Sequence, residues 1–275
     1  MQHAGRELRL AKTVLATGPK VHYAEQGDPG GEAIVFVHGW PHSWYSFSRV
    51  LGLLPTSYHA FAFDQRGFGD SERPACCYGI DDLAADVVVF LDAVGLRRAS
   101  LVGHSLGSFI ARRVAETHPE RVERLILIGS AVTAANQALL EVQASVQTPQ
   151  NPVPAQFARQ FQTSTAYAPL PEAFFEQLVT ESRKLPSRLW REVLDGVIAF
   201  DDTEDLGRTR PPPCCSGGNT TRCSRAKSRS AWWHRSPTPG CWYTRRRATA
   251  RTGSAPSGSP MTWTPSCDSS RPPDP

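Results

Sequence analysis

The sequence predicts an α/β fold: a doubly wound, mostly parallel sheet with a helical insertion, incomplete toward its C-terminus. Three observations predict it. Apolar runs of strand length alternate with stretches whose apolar residues recur at helical spacing, the pattern of successive βα units. One of those runs breaks at Gly103-His104-Ser105-Leu106-Gly107 and continues as a helical pattern, giving strand, tight turn and helix with a serine at the apex. From about residue 133 the strand signal gives way to helices punctuated by proline, and after residue 206 Leu, Ile, Val and Phe disappear from the chain.

The elements follow in order. Thr13-Val-Leu-Ala-Thr and Lys20-Val-His-Tyr-Ala flank Gly18-Pro19, a turn signal, and predict a hairpin. Ala33-Ile-Val-Phe-Val37 is apolar throughout, as a strand buried on both faces must be, and it runs into His38-Gly39-Trp40-Pro41. A helix is expected from Ser46 to Leu54. His59-Ala-Phe-Ala-Phe63 is the next strand and ends in Asp64-Gln-Arg-Gly-Phe-Gly-Asp-Ser71. From Ile80 to Leu96 the residues Leu83, Val87, Phe90, Leu91 and Val94 recur at helical spacing, and Gly95 stops the helix. The serine turn occupies 99–117, and Val122-Glu-Arg-Leu-Ile-Leu-Ile128 is a further buried-type strand. Prolines 149, 152, 154, 169, 171 and 186 divide the helical stretch that follows. The expected organisation is a core over 1–132, a helical cap over 133–206 and a basic, low-complexity, disordered tail over 207–275.

Composition narrows the functional classes. No apolar run approaches the roughly 18 residues a membrane helix needs, and the N-terminus lacks a hydrophobic signal core, so a cytoplasmic setting is expected. Seven cysteines, an odd number without a secretory signal, predict no disulfide framework. The net charge of +4 is unevenly divided: residues 1–206 carry 18 Lys/Arg against 24 Asp/Glu, and residues 207–275 carry 12 against 2. The tail's Arg245-Arg-Arg247, with Trp232, Trp233 and Trp242 interleaved, raises nucleic-acid binding as an alternative. Arg, Pro, Ser and Ala are also what out-of-frame reading of a GC-rich gene yields, and nucleic acid is not the expected partner. Cys214, Cys215, Cys223, His234 and Cys241 fit no usual zinc-ligand spacing, and neither a metal nor a cofactor is expected.

The serine turn carries the chemistry. Glycines two residues before and after Ser105 let the backbone bend sharply, lifting the hydroxyl clear of the sheet with a helix N-terminus beside it. Three ordered motifs, His38-Gly39-Trp40-Pro41, Asp64-Gln-Arg-Gly-Phe-Gly-Asp-Ser71 and Gly103-His-Ser-Leu-Gly107, resemble those of the α/β-hydrolase superfamily over about residues 10–206. With a helical cap they are most similar to its epoxide-hydrolase, haloalkane-dehalogenase and esterase branch. The resemblance implies a nucleophile at Ser105 and an oxyanion hole from the backbone amides of Trp40 and Leu106. The epoxide and carbon–halogen enzymes place an aspartate at this position. A serine there implies acyl chemistry on a small ester-like substrate, with cofactor-free haloperoxidase or perhydrolase chemistry, or an epoxide-hydrolase-like role, as alternatives. His38, Gly39, Pro41, Gly103, His104, Gly107 and Asp64 are the supporting residues. His104 reads as a packing or hydrogen-bonding residue, His38 and His42 as braces of the oxyanion loop, and Asp64 with Arg66 as a structural ion pair. Trp44, Phe68 and Trp190 read equally as pocket lining or as core.

A serine needs a base, and the base an orienting carboxylate. The resemblance puts both late in the chain, after the cap. Residues 207–275 offer His234, Asp268 and Asp274, and nothing in the pattern places them. Shifting the reading frame by one base restores sense. Cys214-Cys215 then forces a leucine, and 211–221 becomes compatible with Ala-Pro-Thr-Leu-Leu-Leu-Trp-Gly-Glu-His-Asp, a strand followed by an acidic turn. A Gly-His becomes available at Ala248-Thr249. Residues 261–267 become compatible with Asp-Asp-Leu-Asp-Ala-Phe-Leu. The expectation is a one-base slip near Arg208–Thr209 that leaves the chain inactive or crippled as written.

Overall fold

The computed structural model describes residues 7–131, 133–135, 137–146, 151–201, 233–235 and 242–244. The chain divides into two units, Met1–Pro213 and Cys214–Pro275.

In the first unit, β1 (Arg9–Val14) and β2 (Lys20–Gly27) form the expected hairpin. β3 (Glu32–Val37), β4 (Tyr58–Phe63), β5 (Ala99–His104) and β6 (Val122–Ile128) complete a sheet of order β1-β2-β4-β3-β5-β6. β2 meets β4 antiparallel, while β3 pairs in parallel with both β4 and β5, and β5 with β6. Strand alternation divides the core across the sheet. Val35, Val37, Phe61 and Phe63 belong to one cluster, with Leu83, Val87 and Phe90 of α2 (Ile80–Ala93) and Phe109, Ile110 and Val114 of α3 (Leu106–Thr117). Ile34, Phe36, Ala60 and Ala62 belong to the other, with Phe47 and Leu51. Among the described residues β6 is the edge of the sheet, and Ile128 is 43% exposed.

α2 ends where the sequence placed its stop. Gly95, at φ 74°, closes a terminal motif in which the Leu96 N–H reaches the Leu91 carbonyl and the Gly95 N–H reaches that of Asp92. The helix expected over Ser46–Leu54 is shorter. A 3-10 turn at Trp44–Phe47, whose start Ser43 caps through its hydroxyl, leads into α1 (Ser48–Leu51), and the chain turns away at Gly52 and Pro55. Among the described residues four helices follow β6: α4 (Gln137–Ser145), α5 (Ala155–Thr165), α6 (Glu172–Lys184) and α7 (Ser187–Ala199). The last three start directly after Pro154, Pro171 and Pro186, whose fixed φ and missing N–H suit a helix entrance. No helix among the described residues is long and apolar enough to cross a membrane.

Two features lie outside what the sequence led us to expect. Cys76 and Cys77 are joined in a vicinal disulfide. The thiols are sequence neighbours, and Cys77 takes a left-handed backbone at φ 76°. In the second unit, β7 (Trp233–Arg235) and β8 (Trp242–Thr244) pair antiparallel, with Trp233 opposite Thr244. Trp, Tyr and Thr are strand formers. The remainder of 207–275, including the sites of the expected acid and base, lies outside the described residues, as does the N-terminus before residue 7.

Candidate active site

Ser105 joins β5 to α3 at φ 50°, ψ −117°. A residue with a Cβ avoids this region, and such strain persists only where the surroundings enforce it. Here they do. The Ser105 N–H donates to the Ile128 carbonyl at 2.9 Å, pinning the turn to the end of β6. The glycines on either side let backbone meet backbone. A Cβ at Gly103 would fall 2.2 Å from the Gly107 carbonyl oxygen, and one at Gly107 would fall 2.0 Å from that of Val37. The start of α3 therefore sits directly on the end of β3. Gly39 completes the junction: a Cβ there would lie 3.1 Å from Ser105 Cβ and 3.0 Å from His104 Nδ1. The loop after β3 and the serine turn are thus in contact, as their motifs imply.

The loop after β3 turns at Gly39, whose carbonyl accepts the His42 N–H at 2.8 Å, and the Trp40–Pro41 bond is cis. His38 is fully buried. Its Nδ1 donates to the Gly39 carbonyl at 2.9 Å, while its Nε2 accepts the Gln65 N–H at 3.2 Å. Both ring nitrogens are therefore used in bracing the turn. Leu106 is the first residue of α3, where backbone N–H groups have no acceptor within the helix. Trp40 is buried under the cap, its ring 4.8 Å from Trp190 and 5.1 Å from Phe161.

Three histidines gather around this junction. Burial pushes His38 down to about 4 and His42 down to about 3, and it also lowers His104, so all three are neutral near pH 7. His104 stacks on His42 with ring centres 5.9 Å apart and planes 9° from parallel. None of the three hydrogen-bonds a carboxylate among the described residues, and such a bond is what a serine's general base requires.

The expected Asp64–Arg66 pair is not formed. Asp64 is fully buried and accepts the Trp44 N–H at 2.7 Å, the Asp70 N–H at 3.0 Å and His22 Nδ1 at 2.9 Å. Arg66 turns to α2 instead and grips Asp86 with two bonds of 2.6 Å. A flat guanidinium matches two carboxylate oxygens, and Asp86 offers both, whereas those of Asp64 are already engaged by Trp44, His22 and Asp70. His22, Asp64 and Asp70 place ligand atoms within 4.8 Å of one another. The inner carboxylate is so fully engaged that the group reads as a structural network and not as a metal centre. Of the aromatics, Phe68 and Trp190 are fully buried core residues, while Trp44 is partly exposed beside His22.

A family profile described as alpha/beta hydrolase fold matches residues 32–202. Epoxide hydrolase 4 of Mus musculus is 36% identical over 114 residues, 41% of this chain and 32% of that protein. The non-heme chloroperoxidase of Streptomyces lividans is 34% identical over 123 residues, 44% of this chain and 45% of that protein. The matches thus span less than half the length of either relative. Among solved structures, a hydrolase from Pseudomonas aeruginosa superposes with a TM-score of 0.65 at 22% identity, covering 74% of this chain and 77% of its own. An esterase from Exiguobacterium antarcticum gives 0.63 at 21%, covering 73% and 78%. The profile covers more than half of the chain, which therefore belongs to the alpha/beta hydrolase fold family.

Proposed function

We propose that this chain is a serine hydrolase by descent, acting on a small acyl substrate in the cytoplasm, with Ser105 as nucleophile and the amides of Trp40 and Leu106 as oxyanion hole. The observation that carries the reading is the strained backbone of Ser105, held at φ 50° against the loop of His38, Gly39, Trp40 and Pro41. Attack of the hydroxyl on the acyl carbon forms an ester and expels the alcohol. Two fixed N–H groups stabilise the negative oxygen that develops, and water then releases the acid. Gly103 and Gly107 permit the close approach, and His38 and His104 pack the turn. Asp64 holds the neighbouring loop in place.

The proton acceptor and its carboxylate belong to the one-base shift proposed for 207–275. As written the chain retains the hydroxyl without its base, and loss of triad members costs up to about a million-fold in turnover. The test restores the reading frame and compares short-chain aryl ester hydrolysis with a Ser105→Ala control. The expected outcome is turnover that the control lacks by at least about a thousandfold. Equal rates would exclude Ser105, and a stop codon before the restored histidine would exclude the frame shift.

A second reading has its own support in the similarity to the chloroperoxidase. Hydrogen peroxide, taking the place of water, would attack the acyl ester on Ser105, releasing a peracid and regenerating the hydroxyl. Peracid formation from acetate esters and peroxide by the restored protein distinguishes it. An epoxide-opening role fits less well, because a serine at position 105 replaces the carboxylate that forms the alkyl ester in that chemistry.

A further inference from the structure

The segment that carries the vicinal disulfide leads into α2, and it is held from two sides. From the core, Arg66, whose other nitrogens grip Asp86, donates through Nη1 to the Cys77 carbonyl at 3.1 Å. From the cap, Arg188 in the first turn of α7 donates through Nη2 to the Pro74 carbonyl at 2.7 Å. Its Nη1 reaches the Ala75 carbonyl at 3.3 Å and Glu192 at 3.1 Å. The Tyr78 hydroxyl folds the segment on itself by donating to the Pro74 carbonyl at 2.7 Å. The Tyr78 ring is wedged between core and cap: a Cβ at Gly67 would fall 2.7 Å from Tyr78 Cε1 and 2.8 Å from Leu189 Cδ1 of α7.

Both guanidiniums thus hold backbone carbonyls, and their grip depends on which way that backbone runs. Cys77 stands at φ 76°, a region that a residue with a Cβ seldom adopts in an open chain. Joining the sulfurs of sequence neighbours closes a small ring through their shared peptide, and that ring holds Cys77 in place. Both cysteines are exposed, whereas Tyr78 beside them is buried. The disulfide can therefore open without leaving a cavity, and an attacking thiolate can reach it.

We propose that Cys76–Cys77 is a redox switch on the cap: closed, it presents the carbonyls of residues 74–77 to Arg188 and Arg66; opened by a dithiol, it withdraws them. One thiolate of the reductant attacks a protein sulfur, forming a mixed disulfide and expelling the neighbouring cysteine as thiolate. The second thiol resolves that mixed disulfide, the reductant leaves as its own disulfide, and both cysteines are protonated. Two electrons and two protons pass to the protein. With the ring open Cys77 returns to negative φ, and its carbonyl turns off Arg66 while those before it turn off Arg188. α7 then loses its tie beside Trp190, whose ring packs on Trp40 at 4.8 Å. In the cytoplasmic setting proposed above, a disulfide is typically transient and redox-sensing. Any consequence for turnover rests on the serine-hydrolase reading, whereas the switch does not.

The test follows amide hydrogen exchange of the full chain in oxidised glutathione and in dithiothreitol, with the peptide containing Cys76 and Cys77 checked by alkylation and mass. Reduction is expected to speed exchange at Leu189, Trp190 and the turn that follows about tenfold, the worth of one hydrogen bond to a charged group. The central strands β3 and β5 should keep their protection. A Cys76→Ser, Cys77→Ser double variant should exchange like the reduced parent in either medium. In Arg188→Met the start of α7 should exchange fast in both, since the contact under control is gone. Unchanged α7 exchange on reduction, or an equal acceleration in Arg188→Met, would overturn the proposal. So would a response to dithiothreitol that survives in the double serine variant, or free thiols at 76 and 77 in oxidised glutathione. Ester hydrolysis is not read, so failure of the Ser105 assignment would leave each of these outcomes as it stands.

Discussion

Replacing Ser105 by glycine, and separately by alanine, reads the strain in the serine turn as a stability. At φ 50°, ψ −117° a residue with a Cβ sits where glycine is the only comfortable occupant, at a cost on the order of 1–3 kcal/mol. The hydroxyl makes no cap bond to α3, so removing it sacrifices little there. Alanine keeps the Cβ and the strain. Glycine relieves the strain but gains freedom in the unfolded chain, which costs about 0.5–1 kcal/mol relative to alanine. The difference leaves the glycine variant ahead by about 1 kcal/mol, or roughly 2–4 °C in Tm for a domain of this size. At an unstrained position the order is the reverse. Urea denaturation with Tm measured in parallel decides between them. An alanine variant more stable than the glycine variant by about 0.5–1 kcal/mol would refute strain as the organising feature of the site.

Other consequences are tested on the same footing. Gly107→Ala drives a Cβ to 2.0 Å from the Val37 carbonyl. Because backbone must move, a loss of about 3 kcal/mol or more is expected in denaturant melts. Arg66→Met leaves the buried Asp86 without its guanidinium and should cost about 3–5 kcal/mol, largely recovered in the Arg66→Met, Asp86→Leu double variant. Acid stability follows from the histidines. His38 and His42 are depressed to about 4 and about 3 in the fold, against about 6.5 unfolded. The unfolded chain therefore takes up protons first, and the stability they contribute, complete above about pH 6.5, is lost as pH falls toward 4 at up to about 1.4 kcal/mol per pH unit for each. The urea midpoint measured against pH should steepen over that window, and His42→Gln should reduce the slope.

Much of this fold is legible in the sequence because the sheet's central strands are apolar on both faces and end in glycine-bearing turns. Ala33-Ile-Val-Phe-Val37 and the run into Gly103 can sit only in the middle of a sheet covered on both sides, and the strand order bears that out. Ion pairs are less legible. Asp64 lies two residues from Arg66, yet Asp86 takes the guanidinium. A signal existed: Asp86 falls in helical phase with Leu83 and Phe90, a carboxylate on an apolar face that needs a partner. The Gln162–His42 bond carries no such signal. It joins residues 120 positions apart, and nothing in local periodicity says which cap side chain will meet which turn. The missing base is a different case, since in 207–275 the amino acids themselves depart from what a packed core requires.

The most direct test of the central claim is the mass of the frame-restored protein after reaction with an alkyl fluorophosphonate, followed by peptide mapping. The account predicts one adduct per chain, on the peptide containing Ser105, absent from Ser105→Ala. An adduct on another residue, or labelling that survives the alanine substitution, would contradict it.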